Sequence, residues 1–146
     1  LQILVKQDTS VGNQSTIWIV LLKLHTNGIQ MTNKRIPWTD VIVDTKDYTV
    51  YKDGFPVTEG HLLFVPKEEA WAQLEKCYKA AYAWGYGWVD QGYCDTYNIG
   101  QNVGVEAGQT VDYPHVHLIP RRKGDMEDPT GGVRHVIPTK GNYRKD

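Results

Sequence analysis

The sequence has few cysteines and no excess of one charge, and each shortage excludes a class of protein. Two cysteines, Cys77 and Cys94, among 146 residues cannot form a disulfide framework, so a reducing, cytoplasmic setting is the default. The 16 lysines and arginines are balanced by 17 acidic residues. Such a balance lacks the one-sided positive field of proteins that bind nucleic-acid backbones, and we expect no nucleic-acid partner.

Long apolar runs are also missing. The longest candidate, Ile17 to Leu24, is interrupted by Lys23, and a membrane-spanning helix needs about 20 apolar residues. The same run has neither the basic start nor the small-residue cleavage site of a secretory signal. We therefore expect no membrane partner. We also expect residues 1–30 to be an accessory or cloning-derived extension, because residues 31–146 have the size and pattern of one complete domain.

Short β-branched and aromatic runs predict a sheet, and one run with helical periodicity predicts a helix. Pro66 is expected to open the helix, and Gly85 and Gly87 to end it. Pro114 and Pro120, which cannot donate to a ladder, are expected to bound the last strand. The predicted fold class is α+β, an antiparallel sheet with one main helix packed on it. The predicted strands cover residues 41–43, 48–51, 61–65, 96–102 and 115–119, and the predicted helix runs from 67 to about 84.

Two histidines, His115 and His117, alternate on the last predicted strand, so both side chains leave the same face. The preceding segment is rich in amide and hydroxyl groups, and in glycines that let a backbone approach a ligand closely. This context favours a phosphate cradle over two histidines placed together by chance. The polar and glycine residues are Asn98, Gly100, Asn102, Gly104, Gly108, Gln109 and Thr110, and the cations nearby are Arg121, Arg122, Lys123 and Arg134.

A metal site is the alternative use of the two histidines. They would need a third ligand, from His61 or His135, and a water in the open position. Residues 120–122, Pro-Arg-Arg, stand where a metal-binding strand of this kind tends to carry a glutamate. Cations beside a metal ion are repelled by it, so we predict no metal ligand set.

Two blocks of the sequence resemble a known family. The stretch from Gly108 to Arg121, Gly-Gln-Thr-Val-Asp-Tyr-Pro-His-Val-His-Leu-Ile-Pro-Arg, resembles the signature of the histidine triad superfamily of nucleotide hydrolases and transferases. The stretch from Asp53 to Lys67 resembles the same family's upstream signature, in the right order and with the predicted helix between the two. Two matching blocks are more specific than either alone. The tail from Gly124 to Pro138 resembles that of the dinucleoside polyphosphate hydrolase branch.

The resemblance implies a role for each matching residue. His115 is the implied nucleophile that attacks the α-phosphorus, and His117 contacts the phosphate or the leaving group. Asp53 is implied to bind the ribose hydroxyls. The first triad histidine is replaced by Tyr113, whose hydroxyl can still hydrogen-bond to substrate but does not ionise near neutral pH. The other substrate-binding positions fall on His61, Asn102, Gly108, Gln109 and Thr110, and Gln109 is counted with the catalytic residues.

These residues predict an enzyme that cleaves a nucleotide at its α-phosphate through a nucleotidyl-histidine intermediate and releases a nucleoside monophosphate. Dinucleoside polyphosphates or related nucleotide conjugates are the expected substrates, and transfer to another acceptor would make the protein a nucleotidyltransferase. The alternative is a nucleotide-binding module with reduced or no turnover, because Tyr113 replaces a triad histidine. The resemblance implies a homodimer and no required cofactor, although a divalent cation can accompany the substrate phosphates.

Overall fold

The computed structural model of the protein describes residues 35–144. Five antiparallel strands form one sheet in the order β1-β2-β3-β5-β4, and one helix, α1, packs against it. The α+β class predicted from the sequence is confirmed. The boundary predicted at residue 30 lies outside the described residues. The elements are β1 Val41–Asp44, β2 Tyr48–Lys52, β3 Leu62–Pro66, α1 Trp71–Asp90, β4 Thr96–Gly100 and β5 Val116–Arg121.

Alternation along the strands gives the sheet two different faces. On one face, helix α1 covers the larger core, and on the other face a smaller cluster forms around Leu63, Val65 and Tyr113. Leu63 lies opposite His117 in the pairing of β3 with β5. The histidines of β5 therefore lie on the face away from the helix. The larger core contains Val50, Leu62, Phe64, Cys77, Ala81, Val116 and Leu118.

The helix begins later than the sequence predicted. Residues 67–69 form bends, and Ala70 has an extended backbone, so Pro66 ends β3 instead of opening α1. The N–H of Lys67 donates to the carbonyl of Asp47, 2.9 Å away, and this bond continues the pairing between β2 and β3 past Pro66. The chain can turn into a helix only after that bond.

The helix also continues through the glycines that were expected to end it. Gly85 is buried where α1 crosses the sheet, and a Cβ at this position would lie 2.7 Å from the ring of Tyr97. The turns around Gly85 are held by aromatic packing, because Trp84 lies edge-on to Phe64, with ring centroids 5.6 Å apart. Burial of these rings offsets the roughly 1 kcal/mol that each glycine costs in a helix.

The last strand runs through Pro120, which the sequence analysis placed at its end. Pro120 pairs with Tyr97 of β4, whereas the pairing of β3 with β5 stops at Leu62. The carbonyl of Pro120 accepts a hydrogen bond from the Thr58 hydroxyl at 2.5 Å. Because the nitrogen and the carbonyl of one residue point to the same side of a strand, the missing N–H of Pro120 faces this loop and interrupts no ladder.

The tail after β5 contains two short 3-10 helices, Gly132–Val136 and Pro138–Lys140. Both described cysteines are free and buried. Within residues 35–144, no helix is both long enough and apolar enough to cross a membrane.

Two glycines of α1 provide a matched test of this packing. Gly85→Ala should destabilise the fold by about 1 to 3 kcal/mol, because the added methyl group meets the Tyr97 ring. Gly87→Ala should stabilise it by up to about 1 kcal/mol, because the nearest atom to a Cβ there is 3.8 Å away, on the Gln91 side chain. Urea unfolding measures both. Equal effects at the two positions would contradict the close contact of α1 with β4.

Candidate active site

Three histidine side chains meet on the sheet face away from the helix. His115 and His117 alternate at the start of β5, and His61 stands just before β3. The ring centroids of His115 and His117 are 4.9 Å apart, and those of His61 and His117 are 5.1 Å apart. The structure therefore brings together His115 and His117, as the strand alternation predicted, and places His61 beside them, as the family resemblance implied.

The ring of His115 is held by a backbone hydrogen bond. Its Nδ1 lies 2.8 Å from the carbonyl oxygen of Tyr113. A carbonyl only accepts, so the proton is on Nδ1 and the lone pair of the ring is on Nε2. The ring of Trp38 packs beside it, with centroids 4.7 Å apart. The hydrogen bond therefore makes Nε2 the nitrogen that carries the lone pair in the neutral form of the ring, the form in which histidine is a nucleophile.

A second chain of hydrogen bonds fixes the proton on His117. The backbone N–H of Val57 donates to Nδ1 of His61 at 3.2 Å, so His61 carries its proton on Nε2. That Nε2 lies 2.9 Å from Nδ1 of His117, which must accept. The proton of His117 is therefore on Nε2, an atom that is buried and has no hydrogen-bond partner among the described residues. A buried donor without a partner costs about 1 to 3 kcal/mol, and an acceptor on a bound substrate would recover it.

Burial keeps this histidine neutral. Desolvation, together with the neighbouring His115 and His61, lowers the pKa of His117 to about 4, against the opposing effect of Asp53. Desolvation also lowers the pKa of His61, although Asp53 acts in the other direction. At neutral pH both rings therefore donate and accept as neutral imidazoles.

Asp53 lies beside the histidines and also shapes its own turn. One carboxylate oxygen accepts from the N–H of Phe55 at 2.8 Å, and the other lies 3.5 Å from Nδ1 of His61. The side chain is only 15% exposed. The hydrogen bond to Phe55 closes an Asx turn, in which an aspartate side chain accepts from the backbone N–H two residues later. The ribose contact implied for Asp53 stays a prediction.

The glycine-rich loop before β5 is braced from within. The side-chain oxygen of Gln109 accepts from the N–H of Gly104 at 2.8 Å, and its amide donates to the carbonyls of Val111 and Asp112 at 3.0 and 3.1 Å. The predicted catalytic contact of Gln109 with phosphate would require its amide to leave these partners. Gly104 and Gly108 have φ angles of +89° and +83°, which favour glycine. Thr110 is exposed at the end of the loop.

Tyr113 contributes through its backbone. Its side chain is 2% exposed and packs with Leu63 and Val65. Burial raises the pKa of its hydroxyl. This position does not support the predicted side-chain contact with substrate, because the ring fills the smaller core while the carbonyl holds His115.

A cavity of about 580 Å³ opens beside His117. Its sheet side carries His61, His117, Asn98 and Asn102, so the predicted Asn102 lines it. Its other side is formed by the tail after β5. Neither Trp38 nor the N–H of Val57 was predicted, because Trp38 precedes both motifs and the Val57 contact is made by a backbone group, which the side-chain pattern does not specify. The tail residues that line the cavity are Met126, Pro129, Gly132, Val133, His135 and Val136.

The residues that could bind a metal ion in the structure differ from the set considered in the sequence. Asp53, His61 and His117 offer three ligand atoms within 4.8 Å of one another. His115 instead bonds the Tyr113 carbonyl, and His135 bonds the carbonyl of Thr130 at 2.8 Å. Two nitrogens on one tetrahedral zinc lie roughly 3.3 Å apart, from Zn–N distances near 2.0 Å. The 2.9 Å between His61 and His117 is a hydrogen bond, so a metal would have to break it.

The family model of the HIT domain matches residues 34–124. The chain belongs to the HIT domain family. The match covers both sequence blocks and all three histidines, so the family resemblance seen in the sequence is confirmed.

Three relatives illustrate the range of this HIT protein's similarity. Adenosine 5'-monophosphoramidase HNT1 of Saccharomyces cerevisiae is 35% identical over 85 residues, 56% of this chain and 53% of that protein. An asymmetrical bis(5'-nucleosyl)-tetraphosphatase of Schizosaccharomyces pombe is 58% identical over 31 residues, 21% of this chain and 17% of that protein. A zinc-bound histidine triad family protein of Mycobacterium smegmatis has a TM-score of 0.55 at 26% identity, with 60% of this chain and 69% of that chain covered. This chain thus spans about half or less of the two sequence relatives.

The lowered pKa of His117 predicts a pH dependence of stability. Between about pH 6.5 and pH 4 the unfolded chain binds a proton at this residue and the folded chain does not. The free energy of unfolding should therefore be at its full value above pH 6.5 and should fall on acidification to about pH 4. This group should account for at most about 3 kcal/mol of that loss. We expect His117→Gln to lose less stability than wild type between pH 7 and pH 4 in urea unfolding. Identical losses would contradict a buried, neutral His117.

Proposed function

We propose that this HIT protein hydrolyses nucleotides at the α-phosphate, with His115 as the nucleophile. The observation that carries the proposal is the hydrogen bond between His115 Nδ1 and the Tyr113 carbonyl, which makes Nε2 the nitrogen with the lone pair in the neutral ring. His117 stands beside it with a buried N–H that has no protein acceptor in the described part of the chain. One group is prepared to attack, and the other to donate to charge that develops on the phosphate or the leaving group.

The proposed reaction has two steps. The Nε2 lone pair of His115 forms a bond to the α-phosphorus, and the bond from phosphorus to the leaving oxygen or nitrogen breaks, with its electron pair on the leaving group. Positive charge on the substituted imidazole is stabilised by the Tyr113 carbonyl, which still accepts from Nδ1. Water then attacks phosphorus, loses a proton to solvent, and releases the nucleoside monophosphate and free His115.

The names of the relatives support a nucleotide substrate. Of the two sequence relatives, one is named for an adenosine monophosphoramidate and the other for a bis(nucleosyl) tetraphosphate. We propose dinucleoside polyphosphates or related nucleotide conjugates as substrates, and transfer to another acceptor would use the same first step. No cofactor is proposed to take part, although a divalent cation can accompany the phosphates. The cytoplasm stays our proposed compartment, because Cys77 and Cys94 are free thiols.

His115→Ala should abolish turnover while leaving nucleotide binding within about tenfold, because it removes the nucleophile and few ground-state contacts. Diadenosine polyphosphates and adenosine phosphoramidate, assayed for AMP release, measure the turnover. An α-phosphate label should attach to wild type in an acid-labile, base-stable form and not to His115→Ala.

Tyr113→Phe is the matched control, since it keeps the carbonyl and the buried ring and should change kcat/KM by less than about tenfold. Label that survives in His115→Ala but is lost in His117→Ala would move the nucleophile to His117. Nucleotide binding without turnover in wild type would favour the alternative, a nucleotide-binding module.

We further propose that the protein is a homodimer. Trp71, Tyr82 and Tyr86 lie on one face of α1 and are 71%, 61% and 65% exposed, which is unusual for aromatic side chains. The neighbouring β4 is an edge strand with unpaired backbone groups. A second copy would cover both features.

Light scattering of Tyr82→Glu with Tyr86→Glu should show a monomer where wild type is a dimer, because buried carboxylates oppose association. Lys76→Glu, on the side of α1 that faces Asp47, is the control and should leave the dimer intact. A dimer that persists in the double variant would place the interface elsewhere.

A further inference from the structure

The cavity beside His117 extends away from the nucleophile. His115, His117, Ile119 and Arg121 leave the same side of the strand, and each pair of residues advances about 7 Å. His117, Ile119 and Arg121 line the cavity of about 580 Å³, whereas His115 does not. A group that departs from phosphorus opposite His115 would therefore enter this cavity past the N–H of His117.

The tail that forms the far wall is a built structure. Gly131 has a φ of +96°, and a Cβ there would lie 2.1 Å from the carbonyl oxygen of Gly141. The side chain of Arg134 donates to the carbonyls of Lys140 and Gly141 at 3.2 and 3.3 Å. The tail is thus folded tightly on itself. This packing holds the 3-10 helix Gly132–Val136 against the cavity, which Val133 and Val136 line.

The far end of the cavity offers apolar surface, and its arginine is neutralised. Arg121 donates to both carboxylate oxygens of Asp125 at 2.7 and 2.8 Å and to the side-chain oxygen of Asn98 at 2.8 Å. Val133 and Val136 are 65% and 74% exposed, which is a high exposure for side chains that line a cavity. An uncharged apolar group would cover them, whereas a free phosphate would meet a cation that is already paired.

We propose that the tail wall is a leaving-group subsite for an uncharged, flat ring carried by the group that departs from the α-phosphate. The inference rests on the proposed function and names the substrate class within it. Either the second base of a dinucleoside polyphosphate or an aryl group on a nucleotide conjugate supplies this chemistry. The phosphate chain crosses His117, and the ring packs against Ile119, Val133 and Val136.

The test compares substrates that carry the ring with partners that lack it, and in the first pair the ribose of the second nucleoside is removed together with the ring. One pair is diadenosine tetraphosphate and adenosine tetraphosphate, and the other is the anilide of AMP and its unsubstituted phosphoramidate. Val133→Asp and Val136→Asp should lower kcat/KM for the ring-bearing member of a pair about tenfold or more, and for its partner less than about threefold. Ile137→Asp is the matched control, because Ile137 is 57% exposed on the same tail but does not line the cavity. Ile137→Asp should leave kcat/KM unchanged for both members of each pair.

The pair that shows the selective loss identifies the source of the ring. Equal losses on both members of each pair, or losses as large in Ile137→Asp, would overturn the subsite, because the tail would then act through the fold. If wild type turns over none of the four compounds, the proposed function fails by itself. The subsite is then tested by measuring the binding affinity of the four compounds. Val133→Asp should still weaken binding of the ring-bearing compounds and leave binding of their partners unchanged.

Discussion

The hydrogen bond from His115 to the carbonyl of Tyr113 is the interaction on which the candidate site depends. It fixes the tautomer of one ring, and therefore which nitrogen faces the site. The carbonyl can hold this position because the tyrosine ring is anchored in the smaller core, 2% exposed, against Leu63 and Val65. A residue that looks like a lost histidine in the sequence thus acts as a packed support for the backbone atom that orients His115.

The sheet determines the rest of the arrangement. Because Leu63 pairs with His117, the histidine face of β5 lies opposite the helix, and the helix face carries only the core. His61 arrives beside His117 from the start of β3, and its Nε2 holds the proton that points at His117. His115 and His117 therefore present different groups to the same space, the Nε2 lone pair of His115 in its neutral form and the Nε2 N–H of His117. Backbone groups, from Tyr113 and Val57, set both.

The fold class, the order of elements and the meeting of His61, His115 and His117 could be predicted because they follow from local periodicity and short motifs. The ends of the helix could not, since α1 continues through Gly85 only because the Tyr97 ring needs that space. The hydrogen bonds of the Gln109 side chain to the backbone of its own loop could not be predicted either, because they depend on a backbone conformation that the motif does not specify. The tail wall depends on packing of Gly131 against Gly141, ten residues apart. The roles implied for Asp53 and the loop residues stay predictions.

The protonation pattern of the three rings tests the account most directly. Nitrogen-15 NMR of the histidine side chains at neutral pH reports which ring nitrogen carries the proton. We predict the proton on Nδ1 for His115 and on Nε2 for both His61 and His117. A proton on Nε2 of His115 would contradict the account, because the nitrogen that should attack phosphorus would then have no lone pair.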